Sequence, residues 1–546
     1  MKLKYRMPQT RARALPWLAG ALLLVSGWTL AESRTELRTE SQTDQRDQSR
    51  HESRAPQTTQ ELHTAKTYTV TSPPVEPLNI DTPQLPDLSG YTAAAVQAKI
   101  VRKPGGRVTL RRMLQQTALK DFIGGDNRMA EWVKRQHGIP QAIFIEGGYV
   151  NLRQLASQLP KQYFSSSAPG VYLARLPIVV AAGATLHIDK QTEELRLSQE
   201  RGAFLVNDGQ LFVTDSKISA WREADNGPAT FRKASEFRPF LLAWGGTETY
   251  IVNSTLTSFG YQTSKSYGVS ISQYTPNMHK RMQRAKPTGW LIDSNFVDMY
   301  YGFYCYEARD VVIKGNTYRD NVVYGIDPHD RSHGLIIADN SVFGTQKKHG
   351  IIISREVNDS WIFNNRVYDN QLSGLVIDRN SVNNLVAYNQ IYRNHSDGIT
   401  VYESPDNLLW GNRIIGNRRH GIRVRNSVNV RLYENLSISN GLTGIYGHIK
   451  DLSDTDRNIA LDPFDTQVSM LVVGGRLAGN GSGPLSIDSP LSVELYRVDL
   501  MAPSKSTGIS FNGVLGERQE EILDLLVRQQ KAVLIDPVER QVELQD

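Results

Sequence analysis

Apolar and polar positions between residues 295 and 444 follow one pattern that recurs every 21 to 25 residues. Each repeat has an Asn, then a Gly seven to ten residues later, then an apolar, any, apolar triplet that predicts a short strand. The asparagines are Asn295, Asn316, Asn340, Asn365, Asn389, Asn412 and Asn435, and the glycines are Gly302, Gly325, Gly350, Gly374, Gly398, Gly421 and Gly444. A unit this short cannot bury its own apolar face, so the copies are expected to stack into a solenoid.

The residue types within the repeat indicate which solenoid forms. Each repeat is rich in Val, Ile and Tyr, and it lacks both a long 3.6-residue period and a dense leucine signature. The pattern therefore predicts an all-β fold, a right-handed parallel β-helix. We expect the Asn column, and a second column at Asn321, Asn370, Asn394, Asn417 and Asn440, to form ladders at turns, because Asn tolerates left-handed backbone angles and its amide can bond along a stack. The repeated Gly predicts unusual backbone angles or a close approach.

Alternation along each strand separates core positions from outward positions. The first and third positions after each Gly are apolar and should face the core, except where Pro328 replaces the usual aliphatic residue. The second and fourth positions should face solvent. They read Tyr304/Tyr306, Asp327/His329, Ile352/Ser354, Val376/Asp378, Thr400/Tyr402, Arg423/Arg425 and Tyr446/His448, and the fifth position adds Glu307, Asp330, Arg355, Arg379, Glu403 and Asn426. A long polar and aromatic strip suits a linear polymer, since Tyr stacks on sugar rings and Arg forks onto carboxylates.

The two ends of the chain differ from this repeat. Residues 1–31 have the cationic start, apolar run and small-residue cleavage pattern of a signal peptide, and polar residues 32–66 predict a disordered tether. We expect an α-containing N-terminal cap over 67–142, with helical stretches near Leu110 and over 129–136, and then the β-helix over 143–515. Its regular coils should span 290–450, with an insertion at 273–287. A C-terminal cap over 516–546 should include a helix with Ile522, Leu525 and Leu526 at helical spacing.

Net charge and cysteine content limit the classes of partner and the cross-links that we expect. The chain is formally +6, but removing the five basic residues of the leader from the 62 in the chain leaves 57 against 56 acidic residues. Nucleic acid is therefore not an expected partner. Export predicts a periplasmic protein with no membrane span after cleavage of the leader. The single cysteine, Cys305, permits no intrachain disulfide, and its position in the repeat predicts a buried structural thiol.

The regular pattern breaks at Asp327-Pro328-His329-Asp330. A proline inside a strand removes a ladder donor, and a local rule broken in one coil of a regular array suggests a functional site. Here His329 lies between two acids, with Arg355 expected on the next coil.

This chain resembles the periplasmic mannuronan C5-epimerases of alginate biosynthesis. The resemblance rests on the Asp-Pro-His-Asp tetrapeptide, the following Arg355, the leader and the β-helical repeat, and it extends from about residue 66 to the C-terminus. It implies conversion of β-D-mannuronate to α-L-guluronate within polymannuronate, beside other periplasmic alginate assembly and export proteins. The Gly-Gly-x-Gly-x-Asp repeats of the calcium-dependent exported epimerases do not occur in the sequence, so neither calcium nor another metal or cofactor is expected.

The residues fit this chemistry. Neutral His329 is the predicted base for the C5 proton, Arg355 would neutralise the uronate carboxylate, and Asp327 or Asp330 would orient the imidazole. Arg379, Arg423 and Arg425 are predicted to bind neighbouring uronates. Tyr304, Tyr306 and Tyr402 are predicted to contact sugar, and these tyrosines or a held water are the candidate proton donors on the second face.

Three other functions remain open at this point. A polysaccharide lyase begins with the same proton abstraction and then expels the C4 oxygen. A glycoside hydrolase would use Asp327 and Asp330 as its acid pair. A non-catalytic scaffold would only guide the polymer during export.

Overall fold

The computed structural model describes residues 68–73, 80–124, 134–136, 138–455, 457–459, 462–501 and 509–538. The predicted signal peptide (1–31) and tether (32–66) lie outside the described residues. Among the described residues, no helix has the length and apolar character needed to cross a membrane.

The described residues form three long sheets whose successive strands run parallel over most of their length. We call the first the site sheet. From the N-terminal end its strands are Arg107–Arg112, Gln141–Glu146, Ile178–Val180, Leu205–Asn207, Leu241–Ala243, Gly268–Ser272, Tyr301–Tyr306, Tyr324–His329, Ile351–Ser354, Leu375–Asp378, Ile399–Tyr402, Ile422–Arg425, Ile445–His448, Leu485–Ile487 and Asn512–Gly513.

Each coil passes from the site sheet to a second sheet and then to a third. The second sheet contains Tyr149–Asn151, Thr185–Ile188, Gln210–Thr214, Glu248–Val252, Thr288–Ile292, Val312–Lys314, Ile336–Ala338, Trp361–Phe363, Leu385–Ala387, Leu408–Trp410, Val430–Tyr433, Ser469–Val473, Ser492–Tyr496, Val533–Pro537 and Tyr68–Thr71. The third contains Phe164–Ala168, Val171–Ala174, Glu194–Ser198, Lys217–Arg222, Thr255–Thr257, Asn295–Val297, Thr317–Arg319, Ser341–Phe343, Arg366–Tyr368, Gln390–Tyr392, Arg413–Ile415, Leu436–Ile438, Arg476–Ala478 and Asp499–Met501, with Gly227–Pro228 paired at its side.

The core matches the predicted inward positions. Ile326, Ile351, Leu375 and Ile399 pair in register in the site sheet and are fully buried. Cys305 lies in the same core, and burial raises the pKa of its thiol to about 12, as expected of a structural cysteine. The repeat thus creates one continuous apolar interior, which holds the coils together.

The asparagine columns form side-chain ladders. The Asn389 amide donates to the carbonyl of Ile362 at 2.9 Å and to Oδ1 of Asn412 at 3.0 Å, and its own Oδ1 accepts from the backbone of Asn365. Asn295 was wrongly assigned to this column. Ser294 occupies the ladder position of that coil, since its N–H donates to Asn316, and Asn295 is exposed.

The second column also exists, with Thr345 filling the coil between Asn321 and Asn370 and with Asn480 extending it. Left-handed backbone angles occur one residue before the first ladder, for example at Asp339 (φ 58°) and Asn364 (φ 55°). The glycine column serves close approach. A Cβ on Gly350 would lie 2.7 Å from Nδ2 of Asn370 and 2.9 Å from the carbonyl oxygen of Gly374.

The N-terminal region differs from the prediction. Leu110 belongs to the strand Arg107–Arg112, which pairs antiparallel with Gln141–Glu146, because its alternate residues extend the apolar core at the open end of the site sheet. The helix Thr117–Gly124, which follows the short 3₁₀ helix Met113–Gln115, packs Leu119 and Phe122 on the outer face of that sheet. Of the expected helix over 129–136, the described part is a 3₁₀ turn, Lys134–Gln136.

Six further helical elements occur among the described residues. Ala93–Lys99 packs Val96 against Phe212 and Tyr250 on the outside of the second sheet. Leu152–Gln158 lies in the first coil, and Pro276–Met282 lies in the predicted insertion. At the C-terminal end, Val514–Glu517, Gln519–Leu523 and the π-helical turn Asp524–Arg528 bury Ile522 and Leu526 against the core, as predicted for a cap.

Candidate active site

The predicted polar strip is a set of aligned columns on the outer face of the site sheet. Tyr304 pairs with Asp327, and Tyr306 pairs with His329, which in turn pairs with Ser354. The outer column continues through Asp378, Tyr402, Arg425 and His448. Sequence spacing therefore predicted the correct register along the whole outer column, from Tyr306 to His448.

The strip is not open to solvent, contrary to the prediction. Asp327 is 3% exposed and Arg423 is 5% exposed, although both point away from the β-helix core. Chain segments outside the regular repeat cover the strip. Phe231 and Ala234 pack against the apolar cluster that contains Tyr304, and Arg457, which follows His448 in the chain, contacts Glu403 at the other end of the strip. The strip is therefore the floor of a covered groove.

His329 is held by its neighbour Asp330. The imidazole Nδ1 lies 2.5 Å from Oδ2 of Asp330. Because a carboxylate accepts a hydrogen, Nδ1 carries the proton in the neutral ring and Nε2 presents a lone pair. Burial alone would raise the pKa of Asp330, but His329, Arg355 and Arg331 lower it to about 2, so the carboxylate stays ionised.

Arg355 lies beside the same carboxylate. It adopts a left-handed angle (φ 64°) at the corner where the chain leaves the site sheet. Its Nη1 is 3.8 Å from Oδ1 of Asp330, and its Nη2 is 3.9 Å from Oδ2 of Asp462. A guanidinium and an imidazole from successive coils thus meet around Asp330.

Asp327 lies two strand positions before His329 and next to Pro328. In the parallel ladder to the next coil, Ile326 pairs with Ile351 and His329 pairs with Ser354, and the regular pairing is interrupted between these two positions. This is the interruption expected from a residue without an N–H.

Two tyrosines flank the histidine from the preceding coil. The Tyr304 ring centroid is 6.0 Å from that of His329, and burial, followed by Asp330, raises the pKa of the Tyr304 phenol well above its usual value. The Tyr306 hydroxyl accepts from Nη2 of Arg331 at 3.2 Å. Burial also raises the pKa of the Tyr306 phenol above its usual value, so both phenols stay protonated at neutral pH.

Lys265 is a charged group that sequence reasoning missed. Its Nζ lies 4.5 Å from the ring centroid of Tyr306 and donates to the carbonyl of Gln273 at 2.8 Å. Burial lowers the pKa of Lys265 to about 8, although Glu307 and Asp330 act in the opposite direction. Lys265 belongs to an early, irregular coil, so no repeat position marked it.

The predicted uronate-binding arginines occupy different environments. Arg379 lies one coil after Arg355, with its Nη1 3.5 Å from Oδ2 of Asp462. Arg425 packs its guanidinium carbon 3.8 Å from the ring centroid of Tyr402 and donates to Glu403 at 2.6 Å. Arg423 donates from Nε to Nε2 of His448 at 3.1 Å. Arg423 and Arg425 are thus committed to internal partners under the covering segment.

Comparison with known proteins identifies the family. Residues 301–450 match the family of the right handed beta helix region. The mannuronan C5-epimerase of Pseudomonas fluorescens is 70% identical over 529 residues, which cover 97% of this chain and 97% of that protein. The chain belongs to the mannuronan C5-epimerase family. The enzyme of Pseudomonas aeruginosa is 66% identical over 541 residues and covers 99% of this chain and 98% of its own length.

A solved member of the family has the same fold. The crystal structure of the periplasmic alginate epimerase AlgG is 65% identical, covers 78% of this chain and 100% of its own, and superposes with a TM-score of 0.76. These similarities confirm the right-handed parallel β-helix and the family resemblance inferred from the tetrapeptide.

Proposed function

We propose that this periplasmic epimerase converts β-D-mannuronate to α-L-guluronate within polymannuronate, with His329 as the base and Arg355 as the group that neutralises the reacting carboxylate. The observation that carries the assignment is the contact of both side chains with Asp330. The contact with Asp330 holds Nδ1 as the protonated nitrogen, so that Nε2 is the basic nitrogen of the neutral ring, and the guanidinium of Arg355 lies beside the same carboxylate.

The reaction is a proton exchange at one carbon. Nε2 of His329 takes the C5 proton, and the electron pair of the broken C–H bond moves into the carboxylate to give an enolate-like dianion. Arg355 stabilises this dianion because it places positive charge where negative charge develops. A donor on the opposite face then gives a proton to C5, which leaves a guluronate residue within the chain, and proton exchange with water restores neutral His329 and the protonated donor.

The strand register reduces the number of candidates for the proton donor on the second face. Tyr402 is three coils from His329, or roughly 14 Å at the interstrand spacing of about 4.8 Å, which excludes direct transfer within one sugar. Tyr304 and Tyr306, with their protonated phenols, remain candidates beside a held water. Tyr402 instead fits the role of a contact for a neighbouring sugar.

Substrate recognition is proposed to follow the groove. Arg379 binds the carboxylate of the sugar next to the reacting one, and Tyr402 forms the distal part of the binding surface, supported from behind by Arg423 and Arg425. Asp327, buried beside the tetrapeptide proline, is proposed to shape the catalytic rung. Contacts with other alginate assembly and export proteins are a further proposal, supported by the family relationship, and affinity capture from periplasm would test it.

Incubation of the mature protein with polymannuronate in deuterated water tests the function. Epimerisation puts deuterium at C5 of guluronate, detected by NMR, without shortening the chain. An unsaturated terminus that absorbs in the ultraviolet would show a lyase, and shorter saturated chains would show a hydrolase. His329→Ala should abolish exchange while circular dichroism stays unchanged, and full exchange in that variant would exclude His329 as the base.

A further inference from the structure

A segment outside the repeat lies over the arginines of the groove. The strand Ile445–His448 is followed by Ser469–Val473, whereas Ile422–Arg425 is followed directly by Val430–Tyr433. We call the described residues between these two strands, 449–455, 457–459 and 462–468, the strap. It begins five coils from His329, and its contacts run back along the site sheet through Asn426 and Glu403 to Arg379 and Arg355.

Buried polar contacts fix the strap at two points. At its start, Asn426 exchanges two hydrogen bonds of 2.7 Å with the backbone of Lys450. Farther along, the side chain of Arg457 is 8% exposed and pairs with Glu403, which also binds Arg425. Burial acts to raise the pKa of Glu403, but the combined effect of Arg425 and Arg457 is larger and lowers it. The carboxylate that holds the strap is therefore ionised.

Arg457 also orients Asp462. It donates to the backbone carbonyl of Asp462 at 2.7 Å and to Oδ1 at 2.7 Å. The other oxygen, Oδ2, points to the groove, 3.5 Å from Nη1 of Arg379 and 3.9 Å from Nη2 of Arg355. One strap carboxylate is thus shared by three guanidinium groups.

The two kinds of contact differ in tightness. The contact with Arg457 has the 2.7 Å length of a charge-assisted hydrogen bond, and such bonds are about 2.7–2.9 Å long. The contacts with Arg379 and Arg355 are longer than that range. Asp462 is therefore anchored to the strap and only loosely engaged with the two groove arginines.

We propose that Asp462 is an internal stand-in for a substrate carboxylate. Its Oδ2 occupies the position between Arg355 and Arg379 that a uronate carboxylate takes when polymannuronate binds, and the polymer displaces it. The proposal rests on the proposed role of Arg355. It makes Asp462 a specificity-determining residue, because a neutral polysaccharide would have to break these ion pairs without replacing them.

Substitution of Asp462 by Asn tests the idea by removing the charge and keeping the shape. Binding of a mannuronate hexamer is measured by calorimetry in the His329→Gln background, where turnover is not expected. The dissociation constant should fall roughly three- to tenfold, the size expected for loss of a partly exposed competing ion pair. Asp462→Ser, which also lacks the charge, should show the same direction, and thermal melting checks that both variants are folded.

Two controls separate charge from shape. Asp465→Asn changes an exposed carboxylate of the same strap and should leave the affinity unchanged. The affinity for a neutral β-(1→4)-mannan hexamer should rise by less than about twofold on Asp462→Asn, since this hexamer brings no carboxylate to the two arginines. An equal gain for both hexamers, or unchanged or weaker binding of the mannuronate hexamer, would overturn the proposal.

The test is independent of the base assignment. Exchange that persists in His329→Ala would remove His329 as the base and leave the binding result intact. In the otherwise wild-type enzyme, Asp462→Asn should lower KM and keep kcat within about twofold. A lower kcat at unchanged KM would show instead that Asp462 only orients Arg355 for the chemical step.

Discussion

Two histidines occupy the same column of the site sheet and have opposite surroundings. Nδ1 of His329 is bonded to the ionised carboxylate of Asp330, which leaves Nε2 directed to the groove. His448 lies five coils away, where its Nε2 accepts from Arg423 and its Nδ1 contacts the carbonyl of Ile449. Burial and the nearby Arg423 keep the pKa of His448 well below its usual value. The partners of a histidine, and not its place in the repeat, make it a candidate base.

The largest expected difference between the His329 end and the His448 end of the column is in turnover. His329→Gln should lower kcat by about 10²–10⁴, the usual contribution of a positioned acid or base. His448→Gln keeps a polar side chain at a rung without catalytic contacts, so turnover should stay near that of the wild type. C5 deuterium incorporation measures both variants, and comparable losses would contradict the assignment.

The arginines of the two ends should separate in their kinetic effects. Arg355→Lys retains charge but loses the planar fork, and we expect kcat to fall by about 10²–10³. Arg425→Lys, at the distal end, should mainly raise KM, because Arg425 is proposed to support binding of a remote sugar. Steady-state kinetics on polymannuronate checks this, and a pure KM effect for Arg355→Lys would argue against its role in the chemical step.

The distal end should lose stability on mild acidification. Burial is the main reason that the pKa of His420 is lowered to about 4, against the opposing effect of Asp397. The unfolded chain therefore binds more protons between pH 6.5 and 4, so this stability is present above about pH 6.5 and is lost as the pH falls towards 4. Urea unfolding should show a loss of at most about 3 kcal/mol, which His420→Gln reduces. A pH profile identical in the variant would contradict this.

The stability contribution of Asp330, beside His329, should be lost at a lower pH than that of His420 and should be smaller. The pKa of Asp330 is lowered from 3.8 to about 2. Its contribution is therefore complete above about pH 4 and is lost as the pH falls through 2. Asp330→Asn should cost about 2 kcal/mol at pH 7, with the difference shrinking below pH 4. A constant difference across this range would show that the ion pairs of Asp330 do not cause it.

The repeat predicted the fold well because every coil must bury apolar residues at the same positions. Core residues such as Ile351 and Leu375 recur at fixed distances from the Gly, so the register follows once one coil is aligned. The misassigned Asn295 shows the limit of this reasoning. Ser294 can occupy its ladder position, since a serine N–H reaches the next Asn equally well.

The parts of the site outside the repeat were not predictable in the same way. His329, Asp330 and Arg355 stand at marked positions, and the break at Pro328 revealed them. Lys265 and Asp462 reach the groove from segments of irregular sequence, where position gives no information about direction. The prediction that the strip is exposed to solvent was wrong for the same reason, because the covering segments fold back over coils that are distant in sequence.

The structure of the His329→Gln variant with a bound mannuronate oligomer tests the central claim most directly. We predict that one sugar places its carboxylate on the guanidinium of Arg355 and its C5 hydrogen towards the side chain at position 329, with the chain running along the site sheet. A sugar that binds with its carboxylate away from Arg355, or a chain that lies on the second or third sheet, would contradict the account.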